Sequence, residues 1–90
     1  MRIEYDEAKR RWTLEHRDLD SLDAPKILDG LYIIQEDDQK TYPEKRFVTY
    51  GYLNDRLTMF AWTPIRGGMR IFSMRKYNDR ENRKFARWVG

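Results

Sequence analysis

Between Leu31 and Met74, four apolar segments follow one another with connections too short to hold a helix of any length. No other feature limits the fold of this 90-residue chain as strongly. Residues 31–36 (LYIIQE), 45–53 (KRFVTYGYL), 56–63 (RLTMFAWT) and 69–74 (MRIFSM) are rich in the aromatic and β-branched side chains that strands favour. The first connection, 37–44, is polar and contains Pro43. The second is Asn54-Asp55, and the third is PIRGG at 64–68. Asn and Asp tolerate the positive φ of a tight hairpin. Consecutive strands joined in this way pair antiparallel, so the sequence predicts a four-stranded meander.

The flanking segments complete the pattern. Residues 2–5 read as a short first strand, and 6–17 as a helix with Asp6 as its N-cap. Residues 20–30 read as a second, shorter helix. Asp20 or Ser21 can cap it, Pro25 is tolerable only near its start, and Gly30 can end it. Residues 78–89 read as the last helix, with Asn78 as N-cap and Glu81 three residues on, the spacing of a capping box. The expected fold is α+β in one domain, 1–90: a four-stranded antiparallel meander plus a short N-terminal strand, two N-terminal helices and one C-terminal helix. The helices are expected on one face. Yet strand 56–63 is apolar on both, with Leu57, Met59 and Ala61 one way and Thr58, Phe60 and Trp62 the other. A face left bare would be a binding surface, unless Phe60 and Trp62 lie under the 37–44 loop.

Composition excludes several function classes. With no cysteine there is no disulfide and no thiolate metal site. With one histidine, His16, a histidine zinc site within one chain is not expected, and neither metal nor cofactor is called for. The first residues hold no apolar run suited to a signal peptide, and nothing approaches the length of a membrane span. The expectation is a cytoplasmic, soluble protein. Charge is unevenly spread. Residues 1–40 hold 7 Lys/Arg against 11 Asp/Glu, whereas residues 60–90 hold 8 against 2. A basic block of this kind points to an anionic partner, nucleic acid foremost, or else to a solvated face.

Within that block, Arg80, Arg83, Lys84 and Arg87 recur at helical spacing on one face. Arg75 and Lys76 precede the same helix, and Arg66 and Arg70 flank the preceding turn. If the helix folds back on the sheet, these cations form a phosphate-binding rim bordered by Tyr77 and Trp62, on which bases could stack. Ordinary packing is the competing role for both aromatics. RNA cleavage without a metal further needs a base for the 2′-OH, a cation for the phosphorane and an acid for the leaving 5′-oxygen. Arginine suits the second role. Histidine is the side-chain type that titrates near neutrality, but His16 sits on the acidic N-terminal helix, where a lone histidine is more often structural. Glu44, beside Arg46, is a candidate base, or else an ion pair that orders its loop. Gly67-Gly68 is a turn rather than a nucleotide loop, and the acids at 36–38 read as solvated.

Three stretches, YDEAKRRWTLEHRDLD, YPEKRFVTYG and AWTPIRGGMRIFSMRKYNDRE, resemble in order and spacing the BrnT family of toxins from bacterial type II toxin–antitoxin pairs. The resemblance spans about residues 3–83. Its most specific part is RIFSMRKYNDRE, similar to the family's Arg-Ile-Ile-Ser-x-Arg-x-Ala-x-x-x-Glu ending. The resemblance implies a RelE-like fold and inhibition of translation by RNA cleavage. It also implies a ribbon-helix-helix (BrnA-like) antitoxin, with operator DNA bound only through the antitoxin complex. Asp6, Lys9, Glu44, Arg46, Trp62, Thr63, Arg70, Ser73, Arg75 and Glu81 match by position. There are departures. His16-Arg17-Asp18 stands where many members have Lys-His-Gly, Thr13 where they have Asn, and Tyr77 where they often have Ala. A one-residue displacement turns a side chain about 100° around a helix, which argues against a role for His16.

The resulting expectation is an RNA-cleaving toxin. Glu44, Arg46, Arg70 and Arg75 form its catalytic set, and Arg66, Lys76, Tyr77, Arg80, Arg83, Lys84 and Trp62 contact RNA. A non-catalytic RNA-binding module and a basic protein-interaction domain are the alternatives.

Overall fold

The computed structural model describes residues 1–38 and 40–90; of the expected 37–44 loop, Gln39 lies outside the described residues. The elements run β1 (Arg2–Glu4), α1 (Glu7–Arg17), a 3₁₀ turn (Ser21–Asp23), α2 (Ala24–Ile27), β2 (Tyr32–Glu36), β3 (Phe47–Leu53), β4 (Arg56–Ile65), β5 (Gly68–Lys76) and α3 (Asp79–Val89). Strands β2 to β5 pair antiparallel in sequence order, and β1 adds to β5 in parallel. The result is one five-stranded mixed sheet, ordered β1-β5-β4-β3-β2. The N-terminal strand is therefore part of the sheet rather than an appendage to the meander. Asn54 and Asp55 turn the β3–β4 hairpin with φ of 51° and 63°, the type I′ pattern.

Local signals explain the helix ends. Asp6 accepts from the Lys9 amide to cap α1. Asn78 and Glu81 exchange side-chain and backbone bonds in a full capping box at the start of α3. The second helix is shorter than its sequence suggests. Asp20 caps a 3₁₀ turn by accepting from Leu22, and only one α-turn follows. Leu28 and Asp29 donate to Pro25 and Lys26 three residues back, and this tighter bonding ends the element.

The helices do not share one face. On the first face, Leu19, Ala24 and Ile27 from the N-terminal helical segment meet Leu53, Phe60, Met69, Ile71 and Met74. On the second, Phe85 of α3 joins Leu57 and Tyr77, flanked by Ile33, Tyr50 and Met59. A strand that is apolar on both sides is thus satisfied by helices on both sides. Phe60 is 0% exposed beneath the N-terminal segment, not beneath the 37–44 loop. Trp62 lies half-buried against that core and donates Nε1–H to Thr49 Oγ1 at 2.8 Å.

Candidate nucleic-acid interface

β1 ends with Glu4 opposite Arg70, so beyond that point β5 has no strand neighbour on its outer side. Helix α1 packs along this stretch instead. Arg17, in its last turn, donates Nη1–H to the Met74 carbonyl of β5 at 2.8 Å. The α1 C-cap is Asp18 in the left-handed conformation (φ 55°), the conformation a glycine takes most readily.

Three depressions follow the seam between α1 and β5. The first is lined by Lys9, Arg46, Arg70 and Phe72, with Tyr5, Asp6 and Ile71. The second shares Lys9 and Phe72 with it and adds Trp12, Thr13, Arg17 and Ser73. The third shares Arg17 with the second and adds Glu15, His16, Asp18, Arg75 and Lys76 around about 440 Å³. Neighbouring depressions share lining residues, so the three form a row along the seam, the α1–β5 groove. Between Lys9 and Arg17 it follows roughly 12 Å of helix.

Six cations line this groove, and they differ in how far they are compensated. Arg46 donates Nε–H to Glu44 at 2.9 Å. Its guanidinium lies over the rings of Phe72 (3.8 Å) and Tyr42 (4.1 Å), a cation–π clamp. Arg70 approaches Glu4 only to 3.8 Å. Arg75 donates from both terminal nitrogens to the two carboxylate oxygens of Glu81, at 2.7 and 2.6 Å. That bond holds the Glu81 carboxyl below the usual carboxylate range and raises the Arg75 guanidinium further. Lys9, Arg17 and Lys76 form no ion pair among the described residues. These three are the cations with charge to offer a ligand.

His16 enters the same space. Its ring stacks on Trp12 (4.4 Å between centroids, 13° between planes), and Nδ1 lies 2.9 Å from the Trp12 carbonyl. A carbonyl only accepts, so Nδ1 must carry the hydrogen, which leaves Nε2 with the lone pair in the neutral ring. The 100° between His16 and its neighbour does not separate them, because His16 and Arg17 line one pocket at the helix end. Sequence reasoning passed over Lys9 and Arg17 as contacts and discounted His16. The signal for Lys9 was its match to the family by position, and for His16 and Arg17 the HRD stretch at the position of the family's Lys-His-Gly.

The other expected residues lie elsewhere. Tyr77 is 3% exposed and packs edge-on against Tyr50 at 5.0 Å, so its ring is core and its faces are not offered to bases. This packing gives the large residue a reason to stand where a small one was expected. Trp62 also serves the core. Arg66 lies exposed at the β4–β5 turn, outside the lining of the groove. Arg80, Arg83, Lys84 and Arg87 form the exposed stripe of α3, whose opposite side presents Glu81, Phe85 and Trp88 to the sheet. No cluster of three or more His, Cys, Asp or Glu suited to a metal ion occurs among the described residues. No helix among them is long and apolar enough to cross a membrane.

A family model described as "Ribonuclease toxin, BrnT, of type II toxin-antitoxin system" matches residues 5–81, which include every groove residue named above. Comparison with curated proteins returned no significant match.

Proposed function

We propose that this chain, which belongs to the BrnT family of type II toxin–antitoxin ribonuclease toxins, binds and cleaves single-stranded RNA in the α1–β5 groove. One observation carries the reading: three cations without carboxylate partners and the chain's single histidine line the row of depressions between α1 and β5. Lys9 would hold a phosphate upstream of the reacting group, beside the carboxylate-paired Arg46 and Arg70. His16, with its Nε2 lone pair, would take the 2′-OH proton. The 2′-oxygen would then attack phosphorus and form a 2′,3′-cyclic phosphate as the 5′-oxygen leaves. Arg17 and Arg75 would stabilise the charged phosphorane, and Lys76 would protonate the leaving oxygen. No metal is needed in this scheme. Glu44 is then a positioning residue that holds Arg46 between its two rings, not the base. The exposed cations of α3, with Arg66, would steer RNA towards the groove without touching the reacting atoms.

Membership of a type II toxin family implies an antitoxin partner. We propose that this partner is a ribbon-helix-helix, BrnA-like protein that reaches operator DNA on behalf of the complex. We propose further that the toxin has a RelE-like fold and acts in the cytoplasm by inhibiting translation. Expressing the chain in bacteria without a partner tests the reading. Growth should stop with wild type and continue with His16→Ala at equal levels of folded protein. Unaffected growth with folded wild-type protein would reject the toxin reading. RNA bound but left intact in vitro would favour a binding module.

A further inference from the structure

The Arg75 fork is already full. Glu81 meets it with two parallel bonds of 2.7 and 2.6 Å, the geometry with which a guanidinium grips a phosphate. The carboxylate is also tied to α3, because the same Glu81 accepts from the Asn78 amide in the capping box. α3 itself is held to the sheet by little. Phe85 is its only fully buried residue among those described, and Trp88 contributes a partly exposed ring against Tyr50. The pair is not deeply buried: the Arg75 side chain is 41% exposed and that of Glu81 25%. A fork that lines the groove is therefore filled by an anion from a lightly docked helix.

We propose that Glu81 is an internal stand-in for a phosphate, which keeps Arg75 from RNA until a backbone phosphate takes its place. This inference rests on the RNA reading of the groove. Glu81 is on this account a positioning residue that opposes binding, whereas a residue that merely orients Arg75 would assist it. The two roles predict opposite signs for Glu81→Gln. Glutamine keeps the capping-box hydrogen bond while removing the charge, so the helix start is preserved.

The test is the affinity of wild type and Glu81→Gln for a short single-stranded 2′-O-methyl RNA, which lacks the nucleophile, measured across a salt series. The proposal expects Glu81→Gln to bind about three- to tenfold tighter, the scale of one like-charge contact removed near a surface. It also expects a salt slope steeper by about 0.7, one added phosphate contact. The gain should vanish in the Arg75→Ala background. Asn78→Ala, which loosens the start of α3 without changing charge, should leave the slope alone. Weaker or unchanged binding by Glu81→Gln overturns the proposal while leaving the RNA reading intact. The same gain from Asn78→Ala also overturns it, because helix loosening would then be the cause. If wild type binds no RNA at low salt, both readings fall.

Discussion

Neutralising Arg17 should change the salt dependence of RNA binding by a predictable amount. Lys9, Arg17 and Lys76 are the groove cations without ion pairs among the described residues, so each can neutralise one phosphate. A single strand contributes about −0.7 to the slope of log K against log salt for each such contact, which gives a slope near −2.1 for three. Between roughly 50 and 200 mM salt, wild type should then lose about twentyfold in affinity. Arg17→Gln should have a slope near −1.4 and lose only about sevenfold over the same range. Glutamine ends two bonds short of the Arg17 Nη1 that donates to the Met74 carbonyl, so the urea midpoint of Arg17→Gln is measured beside its slope. Fluorescence anisotropy with a labelled 2′-O-methyl RNA reads both numbers. Arg87→Gln, on the exposed stripe of α3 and outside the groove, should leave the slope unchanged. An unchanged slope for Arg17→Gln, or an equal loss for Arg87→Gln, would refute the count and move the RNA to the last helix.

A Cβ on Gly68 would run into the Arg2 backbone in the β1–β5 pair. Gly68→Ala should therefore cost about 2–3 kcal/mol in urea unfolding, and an unchanged midpoint would contradict the parallel β1–β5 pairing. Arg10 holds Asp20 through two bonds of 2.9 and 3.0 Å, which places that carboxyl below its ordinary range. A lowered folded-state pKa stabilises the protein above the unfolded value of about 3.9 and ceases to do so as pH falls towards the folded value. Asp20→Asn should thus flatten the acid limb of the stability–pH curve, while curves that stay parallel would count against the pair.

Much of the fold is legible in residues whose physics is local. Asp6, Asn78 and Glu81 announce their caps, and Asn54-Asp55 announces its turn. The meander follows from alternation and short connections. What the sequence hides is long-range. Nothing in RIE says that β1 pairs with β5 rather than standing alone, and nothing in residues 7–17 says that α1 will occupy the edge β1 leaves open. The groove is a product of those two facts, which is why the sequence does not show Lys9 and Arg17 as neighbours of β5. The β4–β5 pairing also shifts register between Ala61 and Trp62. Tyr77 misled for a different reason: an aromatic beside two cations has the composition of a binding rim, but only packing decides where its ring goes. The lining cations come from α1, the β3 approach and β5, whereas those of α3 form a separate exposed stripe, so the basic block of the sequence and the groove overlap only at Arg70, Arg75 and Lys76.

The α1–β5 groove is proposed to cleave RNA by proton transfer to His16. Its most direct test is incubation of the purified chain with single-stranded RNA in the presence of a chelator, with the new ends identified. Wild type should yield fragments ending in 2′,3′-cyclic phosphate and 5′-hydroxyl. His16→Ala should yield none while still binding the RNA. Equal cleavage by His16→Ala, or fragments that disappear when the chelator is added, would contradict the proposal.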